Sequence, residues 1–153
     1  MKVVQIYQCK SNLIFSQQQK QESGFLIETM SMFSISKLEE INEIQKTLIK
    51  ALDHLIKEET LNQYTTSKYN KKLSKLCQCK NYKEVVSKSS IVTVVSKSDQ
   101  IILVPLQRAR SFIGFEGYNN LAETLSENSL HDGKVLSRIL ELLEEVIQSY
   151  DIS

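Results

Sequence analysis

The sequence predicts an α+β fold, in which an antiparallel sheet of about five to six strands is covered by two long amphipathic helices. Short runs of β-branched and aromatic residues, separated by turn-forming residues, predict the strands. Two longer segments repeat apolar residues at steps of three and four, which predicts helices with one apolar face. Two such helices against one antiparallel sheet make an α+β domain, and 153 residues suit one domain covering residues 1–153.

The amino-terminal part predicts three strands followed by a helix. The runs "VVQIYQC", "SNLIF" and "GFLIETMSMF" predict an antiparallel meander. From Ser36 the apolar period changes, and a helix is predicted over about residues 37–58, with Ser36 and Glu39 forming a capping box. Its apolar stripe consists of Leu38, Ile41, Ile44, Leu48, Leu52, Leu55 and Ile56.

The carboxy-terminal part predicts a short helix, a hairpin and a long helix. "YKEVVSK" predicts the short helix, and "SIVTVVSK" and "QIILVPL" predict a hairpin that turns at Ser98 and Asp99. The first hairpin strand is too continuously apolar to have an exposed face, so we place the pair in the centre of the sheet. Pro105 donates no ladder hydrogen bond, which predicts that the second strand ends at or near an edge. The last helix is predicted over about residues 130–149, with Ser129 as its cap and Val135, Ile139, Leu142, Leu143, Val146 and Ile147 on its apolar face.

The composition is typical of a compact cytoplasmic protein. A hydrophobic fraction of 41% and a charged fraction of 24% lie near globular averages, and four Gly and one Pro argue against a linker-rich chain. The apolar run after Lys2 is interrupted before it reaches signal-peptide length, and no apolar segment reaches the roughly 18 to 20 residues of a membrane span. We therefore expect a cytoplasmic location and no membrane partner.

No metal site and no cofactor are predicted. The three thiols, Cys9 and the Cys77–Cys79 pair, fall one ligand short of a tetrahedral zinc site. His54 and His131 are further candidate ligands, but each lies in a predicted helix far from the pair in sequence. Free thiols in a reducing compartment are the preferred interpretation.

No segment has the spacing of a catalytic site, so we do not expect an enzyme. "FIGFEGY" lacks both the dinucleotide-binding and the phosphate-loop patterns. Glu141, Glu144 and Glu145 lie opposite the apolar stripe of the last helix, where carboxylates stay solvated with ordinary pKa values. His131 and Asp132 lie in its first turn, without a nucleophile or an oxyanion-hole motif.

Charge is distributed unevenly along the chain although the net charge is +1. Residues 68–110 hold ten Lys or Arg against two acids, and residues 116–153 hold eight acids against two basic residues. Tyr64, Tyr69 and Tyr82 lie among lysines, which is a pattern of single-strand nucleic-acid binders. A small nucleic-acid-binding module that uses the basic region 68–110 is therefore the alternative function.

A solvated, lysine-rich helix with Leu73 and Leu76 on its inner face explains the same residues without a nucleic-acid partner. No recognised RNA-binding motif accompanies the tyrosines. We prefer this interpretation and do not expect nucleic acid as a partner.

The carboxy-terminal half also carries a family resemblance, over about residues 82–147. It contains an apolar strand, a short turn, an "IILVP" strand, a basic and glycine-bearing loop, a short extended segment and a closing helix entered through "SLHDGKVL". In this order of elements the chain resembles the immunity proteins of bacterial contact-dependent growth inhibition systems, the CdiI family. Gly133 is displaced from the position of the Leu-Gly pair that usually precedes the family's last helix. The resemblance implies a non-enzymatic cytoplasmic protein that binds and neutralises the carboxy-terminal toxin domain of a cognate secreted effector, nucleases being one class of such toxins.

The loop after the "IILVP" strand is the first candidate partner-binding site under this resemblance. Its cluster consists of Arg108, Arg110, Phe112, Phe115 and Tyr118. Arg and aromatic residues are enriched among interface anchors, so we expect residues 107–118 to border the toxin interface. The alternatives are a solvent-exposed loop whose Phe residues pack under the sheet, and arginines that pair with the protein's own acidic helices.

Acidic helix faces are the second candidate partner-binding site. Nuclease toxins have basic substrate grooves, and Glu141, Glu144 and Glu145 are placed to attract such a groove. A solvated helix face without a partner is the alternative.

Overall fold

The computed structural model describes residues 1–20, 26–53, 65–108, 115–117 and 122–152. Its strands are β1 (Lys2–Cys9), β2 (Asn12–Lys20), β3 (Leu26–Ser36), β4 (Ser89–Lys97), β5 (Gln100–Arg108), β6 (Phe115–Gly117) and β7 (Glu123–Ser126). Its helices are α1 (Ile41–Asp53), α2 (Thr66–Leu76), α3 (Tyr82–Lys88), α4 (Asn128–His131) and α5 (Lys134–Ile152). The predicted α+β class is confirmed.

The strands form one antiparallel sheet in the order β3-β2-β1-β4-β5-β6, and β7 pairs with β5 beside β6. The predicted amino-terminal meander is confirmed, but β2 continues through its glutamines to Lys20. Gln17 is buried there, and its side-chain Nε2 donates to the carbonyl oxygen of Ala51 at 2.7 Å. The polar residues can thus extend the strand, because the buried side chain of Gln17 is hydrogen-bonded to α1.

Helices cover both faces of the sheet. α1 and α5 pack on one face, against a core that includes Val4, Ile6, Leu13, Phe15, Val92, Val94, Ile101 and Leu103. α2 and α3 pack on the other face, against Tyr7, Cys9, Ile14 and Ile91. The prediction that β4 is central and covered on both faces is confirmed. The second face is covered by α2 and α3, whereas the two long helices that the sequence predicts both pack on the first face. None of the helices in the described part of the chain is long and apolar enough to cross a membrane.

α1 begins at Ile41, later than predicted, and the predicted capping box is wrong. Ser36 is the last residue of β3, and its Oγ and carbonyl oxygen accept hydrogen bonds from the amides of Leu38 and Glu39, each at 3.1 Å. The serine therefore closes a turn where a helix cap was expected. Leu38 and Ile41 are 86% and 54% exposed, so the first two members of the predicted stripe lie outside the core. Residues 54–58 of the predicted helix lie outside the described residues.

The predicted helix over residues 130–149 is two helices, and Ser129 is not the cap of the long one. Gly133 has a φ of +84°, a left-handed conformation that glycine adopts without a Cβ clash, and it separates α4 from α5. The amide of Lys134 donates to Oδ1 of Asp132 at 3.0 Å, so Asp132 provides the local hydrogen bond at the start of α5. The apolar stripe of α5 is buried from Val135 to Leu143 as predicted.

The β4–β5 hairpin is confirmed, and its central residues Ser98 and Asp99 have φ values of 48° and 64°, as a type I′ turn requires. As predicted, the second hairpin strand lies near an edge, because β5 is next to the last strand of the sheet path, but Pro105 is not its last residue. β5 continues through Pro105 to Arg108, and both β6 and β7 pair along its outer side. β7 pairs with residues 100–103 and β6 with residues 106–108, so Pro105 lies between the two registers.

Candidate partner-binding site

The first candidate site is the connection between β5 and β6. In the antiparallel register Arg108 is opposite Phe115, and β6 ends the path of paired strands. Phe115, which was predicted to lie in the loop, thus belongs to β6, and the three residues of β6 pair with β5. Arg110, Phe112 and Tyr118 lie outside the described residues.

The second candidate site is a cluster of charges centred on Arg138 of α5. The guanidinium group contacts both carboxylate oxygens of Glu123 on β7, with Nε at 3.0 Å from Oε1 and 2.8 Å from Oε2. Its Nη1 donates to Glu141 at 2.9 Å and to Glu145 at 3.2 Å, one and two turns further along the helix. We call Glu123, Arg138, Glu141 and Glu145 the α5 acidic cluster. Three carboxylates share one cation, so the cluster keeps an excess negative charge.

The contact between Glu123 and Arg138 shifts the pKa values of both groups. Hydrogen bonding to Arg138 lowers the pKa of Glu123, and the same contact raises the pKa of Arg138. The side chains of Glu141 and Glu145 remain 64% and 58% exposed. Exposed ion pairs add little stability, so the accessible negative charge of these two residues is the property that a partner would meet.

Glu144 differs from its neighbours, and its predicted solvated position with an ordinary pKa is wrong. Its carboxylate pairs with Lys37 in the turn after β3, and Oε1 accepts a hydrogen bond from Gln8 of β1 at 2.8 Å. The contact with Lys37, supported by Gln8, lowers the pKa of Glu144. Glu144 therefore attaches α5 to the sheet and to the turn before α1, which is a role in folding.

A cleft lies beside the α5 acidic cluster, where the start of α1 faces the α4–α5 junction. Its volume is about 590 Å³, and Arg138 and Glu141 form part of its wall. Ile41 lines the opposite side and is 54% exposed. The cleft combines an exposed apolar side chain with charged residues of both signs, because Asp132, Lys134, Arg138 and Glu141 all line it.

The tyrosines of the basic region do not form a stacking surface. Tyr69 is 1% exposed, and its hydroxyl lies 3.1 Å from that of Tyr7 and 2.9 Å from Oγ of Ser16. Burial raises the pKa of Tyr69, which stays protonated in this cluster. Tyr82 packs partly buried against the same core, and Tyr64 lies outside the described residues. Tyr69 therefore belongs to the core and offers no ring face to a nucleic-acid base.

The preferred interpretation of this segment agrees with the structure. Leu73 is fully buried on the inner face of α2, and Leu76 packs partly buried against the same core. Lys68, Lys71 and Lys75 are exposed, as expected for a solvated helix face.

The thiols lie closer together than the sequence indicates. Sγ of Cys9, at the end of β1, is 3.6 Å from Sγ of Cys79, in the turn between α2 and α3. Among the residues that the structure describes, no group of three or more Cys, His, Asp or Glu has a metal-binding arrangement. His54 lies outside those residues, and His131 lies at the distant cleft beside α5. No signal in the sequence pairs Cys9 with Cys79.

No protein-family model and no curated protein matches the chain. Among solved structures, a protein of unknown function from Neisseria meningitidis shares the fold with a TM-score of 0.69 at 11% identity, over 93% of this chain and 92% of that one. A chain of the CdiA-CT/CdiI toxin and immunity complex from Yersinia pseudotuberculosis matches with a TM-score of 0.64 at 14% identity, over 92% of this chain and 96% of that one. At these identities the similarity is one of fold, and it extends over nearly the whole length of each chain.

We expect acid to destabilise the protein in part through Glu144. Its pKa is lowered by folding, so its contribution to stability is present above the unfolded value of about 4.3 and is lost as pH falls through the lower folded value. The change Glu144→Gln should therefore flatten the decrease in the free energy of unfolding below about pH 4.3, as measured by urea unfolding across that range. Glu40→Gln, at an exposed position before α1, is the control. Equal slopes for the two variants would contradict the assignment.

Proposed function

We propose that this protein is an immunity protein that binds and neutralises the carboxy-terminal toxin domain of a cognate contact-dependent growth inhibition effector. The observation that carries the proposal is the fold shared with a chain of a toxin and immunity complex over 96% of that chain. The strand, loop and helix motifs of residues 82–147 favour the immunity protein over the toxin as the member of that complex that this chain resembles. The protein acts by binding in the cytoplasm, and it catalyses no reaction.

The α5 acidic cluster is the surface that we assign to partner attraction. Glu141 and Glu145 are exposed on one face of α5, and Arg138 orients both carboxylates. A carboxylate held in place by an arginine presents its charge at a fixed position, which favours recognition of a basic groove. The toxin that fits this surface is a protein with a basic active-site groove, as a nuclease has.

The β5–β6 connection is the surface that we assign to anchoring. Arg108 and Phe115 are paired across the last two strands of the sheet path, and Arg110 and Phe112 lie between them in the sequence. Arginine and aromatic anchors in a desolvated patch contribute most of the affinity in many interfaces. Attraction by α5 would thus raise the association rate, and anchoring by the loop would lower the dissociation rate.

Co-expression tests the function directly. The partner is the carboxy-terminal domain of the large secreted protein that we expect to be encoded immediately upstream. Cells that produce this domain should stop growing, and cells that also produce the immunity protein should grow normally and yield a defined stoichiometric complex. Growth arrest in the presence of the folded protein, with no complex on size-exclusion chromatography, would refute the proposal.

We expect the double change Glu141→Gln and Glu145→Gln to slow association with the toxin roughly 3- to 10-fold at low salt, because two steering charges are removed. Arg138 keeps its contacts with Glu123 in this variant, so the fold is retained. The measurement is the association rate by stopped-flow or surface plasmon resonance at about 20 and 200 mM salt, where the difference should shrink at the higher value.

The control for this rate is Asp53→Lys, which changes the net charge by the same two units at the far end of α1. The side chain of Asp53 is 69% exposed and pairs with Lys2 at 3.8 Å, and loss of such an exposed ion pair costs little stability. An association rate that is reduced equally by the control would assign the effect to net charge and exclude steering by α5.

A further inference from the structure

Two cysteines that are 70 residues apart in sequence are brought into contact by the fold. Cys9 ends β1, and Cys79 lies in the turn that joins α2 to α3. Their Sγ atoms are 3.6 Å apart, compared with about 2.05 Å in a disulfide. Closing the remaining gap requires only a small movement of the Cys79 turn toward the sheet.

The two thiols differ in access to solvent. Cys9 is fully buried, whereas Cys79 is half-buried and lines a cleft of about 470 Å³. The cleft is also lined by Lys71, Lys75 and Lys80, so its surface is electropositive. The cleft thus gives a small oxidant access to Cys79, whereas Cys9 is shielded from solvent.

The contacts on the sheet side hold the pair in place. Nζ of Lys10 donates to the carbonyl oxygen of Gln78 at 2.6 Å and pairs with Glu84 at 3.4 Å. These contacts attach the β1–β2 turn to the segments on either side of Cys79. Hydrogen bonding from Cys77 lowers the pKa of Cys9, whereas burial and the adjacent Cys9 raise the pKa of Cys79 to about 11. Of the two thiols, Cys9 is therefore the one that loses its proton more readily.

We propose that Cys9 and Cys79 form a reversible intramolecular disulfide when the protein meets a peroxide. Hydrogen peroxide enters the cleft and reaches Cys79, whose proton passes to the Cys9 sulfur across the 3.6 Å contact. The Cys79 thiolate attacks one peroxide oxygen, the O–O bond breaks, and the products are Cys79 sulfenic acid and hydroxide. The hydroxide takes the proton from Cys9 and leaves as water.

The buried thiol then resolves the sulfenic acid. The Cys9 thiolate attacks the Cys79 sulfur, forms the S–S bond and displaces a second hydroxide. The two sulfurs lose two electrons in total and the peroxide gains them, so that one water and one hydroxide are released for each disulfide. During these reaction steps Cys77 donates a hydrogen bond to the Cys9 thiolate.

The disulfide would join the α2–α3 turn covalently to the end of β1. It closes a loop of about 70 residues, and a cross-link over a loop of that length lowers the entropy of the unfolded chain substantially. We expect the melting temperature to rise by roughly 5 to 10 °C on oxidation and to return to its original value on reduction. This inference concerns the other face of the sheet from α5 and stands independently of toxin binding.

The test treats the full-length reduced protein with hydrogen peroxide near pH 7.5, blocks the remaining thiols and digests the product with trypsin without reductant. Cleavage after Lys2, Lys10, Lys75 and Lys80 gives the peptides VVQIYQCK and LCQCK. We expect a product that links these two peptides and retains one alkylated cysteine. Because LCQCK contains both Cys77 and Cys79, variants must assign the bond.

The variants are Cys79→Ser, which should lose the linked product, and its matched control Cys77→Ser, which keeps a hydroxyl donor and should retain the product. Either variant assigns the bond if the other folds poorly, because each leaves a single cysteine at positions 77 and 79. A disulfide within LCQCK, a disulfide between two chains, or Cys79 sulfinic acid without a link to Cys9 would each overturn the proposal.

Discussion

Replacing Arg108 and Arg110 together by alanine is expected to weaken toxin binding by at least roughly 30-fold, which corresponds to about 2 kcal/mol, with little change in melting temperature. Arg108 ends β5 opposite Phe115, at the edge of the sheet path, and Arg110 follows two residues later in the sequence, outside the described residues. A guanidinium group that becomes desolvated against an acidic or carbonyl-rich partner surface makes charge-assisted hydrogen bonds, and truncation leaves the partner groups unpaired.

Binding and stability are to be measured separately, by isothermal titration calorimetry and by thermal unfolding. The matched control is Lys88→Ala with Lys97→Ala, which removes two positive charges from exposed positions at the ends of α3 and β4. If the arginine variant loses several degrees of melting temperature while its affinity is intact, the arginines order the protein's own loop and the interface assignment is refuted.

Replacing Ile139 by alanine is expected to lower the free energy of unfolding by about 2 to 5 kcal/mol, whereas the same change at Ile41 should cost less than about 0.5 kcal/mol. The two isoleucines occupy equivalent places in the apolar stripes that the sequence predicts. Ile139 is fully buried between α5 and the sheet, and its truncation leaves a cavity. Ile41 is 54% exposed at the cleft beside the α5 acidic cluster, and solvent fills the space.

Urea unfolding provides the measurement, with the comparison made at equal m-values so that only stability differs. An equal cost at the two positions would contradict the placement of Ile41 outside the core.

Several features of the fold could be predicted because they depend on neighbours in sequence. The alternation and β-branching of "VVQIYQC" and "SIVTVVSK" predict strands, and the Ser98–Asp99 turn matches the right-handed twist of the hairpin. The stripe from Val135 to Leu143 predicts a buried helix face, and that face is buried. In these segments the local preference and the tertiary environment agree.

Predictions failed where two elements compete for the same residue. Ser36 has the residue type and spacing of a helix cap, but β3 pairs Ser36 with Asn12 and leaves the serine to close a turn. Pro105 has the signature of a strand end, but β6 and β7 pair on either side of it. A local pattern contains no information about which strand arrives from elsewhere in the chain.

The candidate sites divide in the same way. Glu141, Glu144 and Glu145 share one sequence environment and were assigned one role, yet Glu144 faces Lys37 and Gln8 while its neighbours face Arg138. The separation arises because the helix rotates by about 100° per residue, so a single step along α5 moves a carboxylate from the solvent side to the sheet side.

The α+β class, the meander, the hairpin and the apolar face of the last helix can be predicted from the residues alone, because each depends on a repeat of two or of three to four residues along one segment. Three features depend on the three-dimensional packing: α2 and α3 cover the second face of the sheet, Glu123 on β7 contacts Arg138 on α5, and Cys9 lies 3.6 Å from Cys79. These contacts join residues 15 to 70 positions apart, and the packing of complete elements against one another sets such distances.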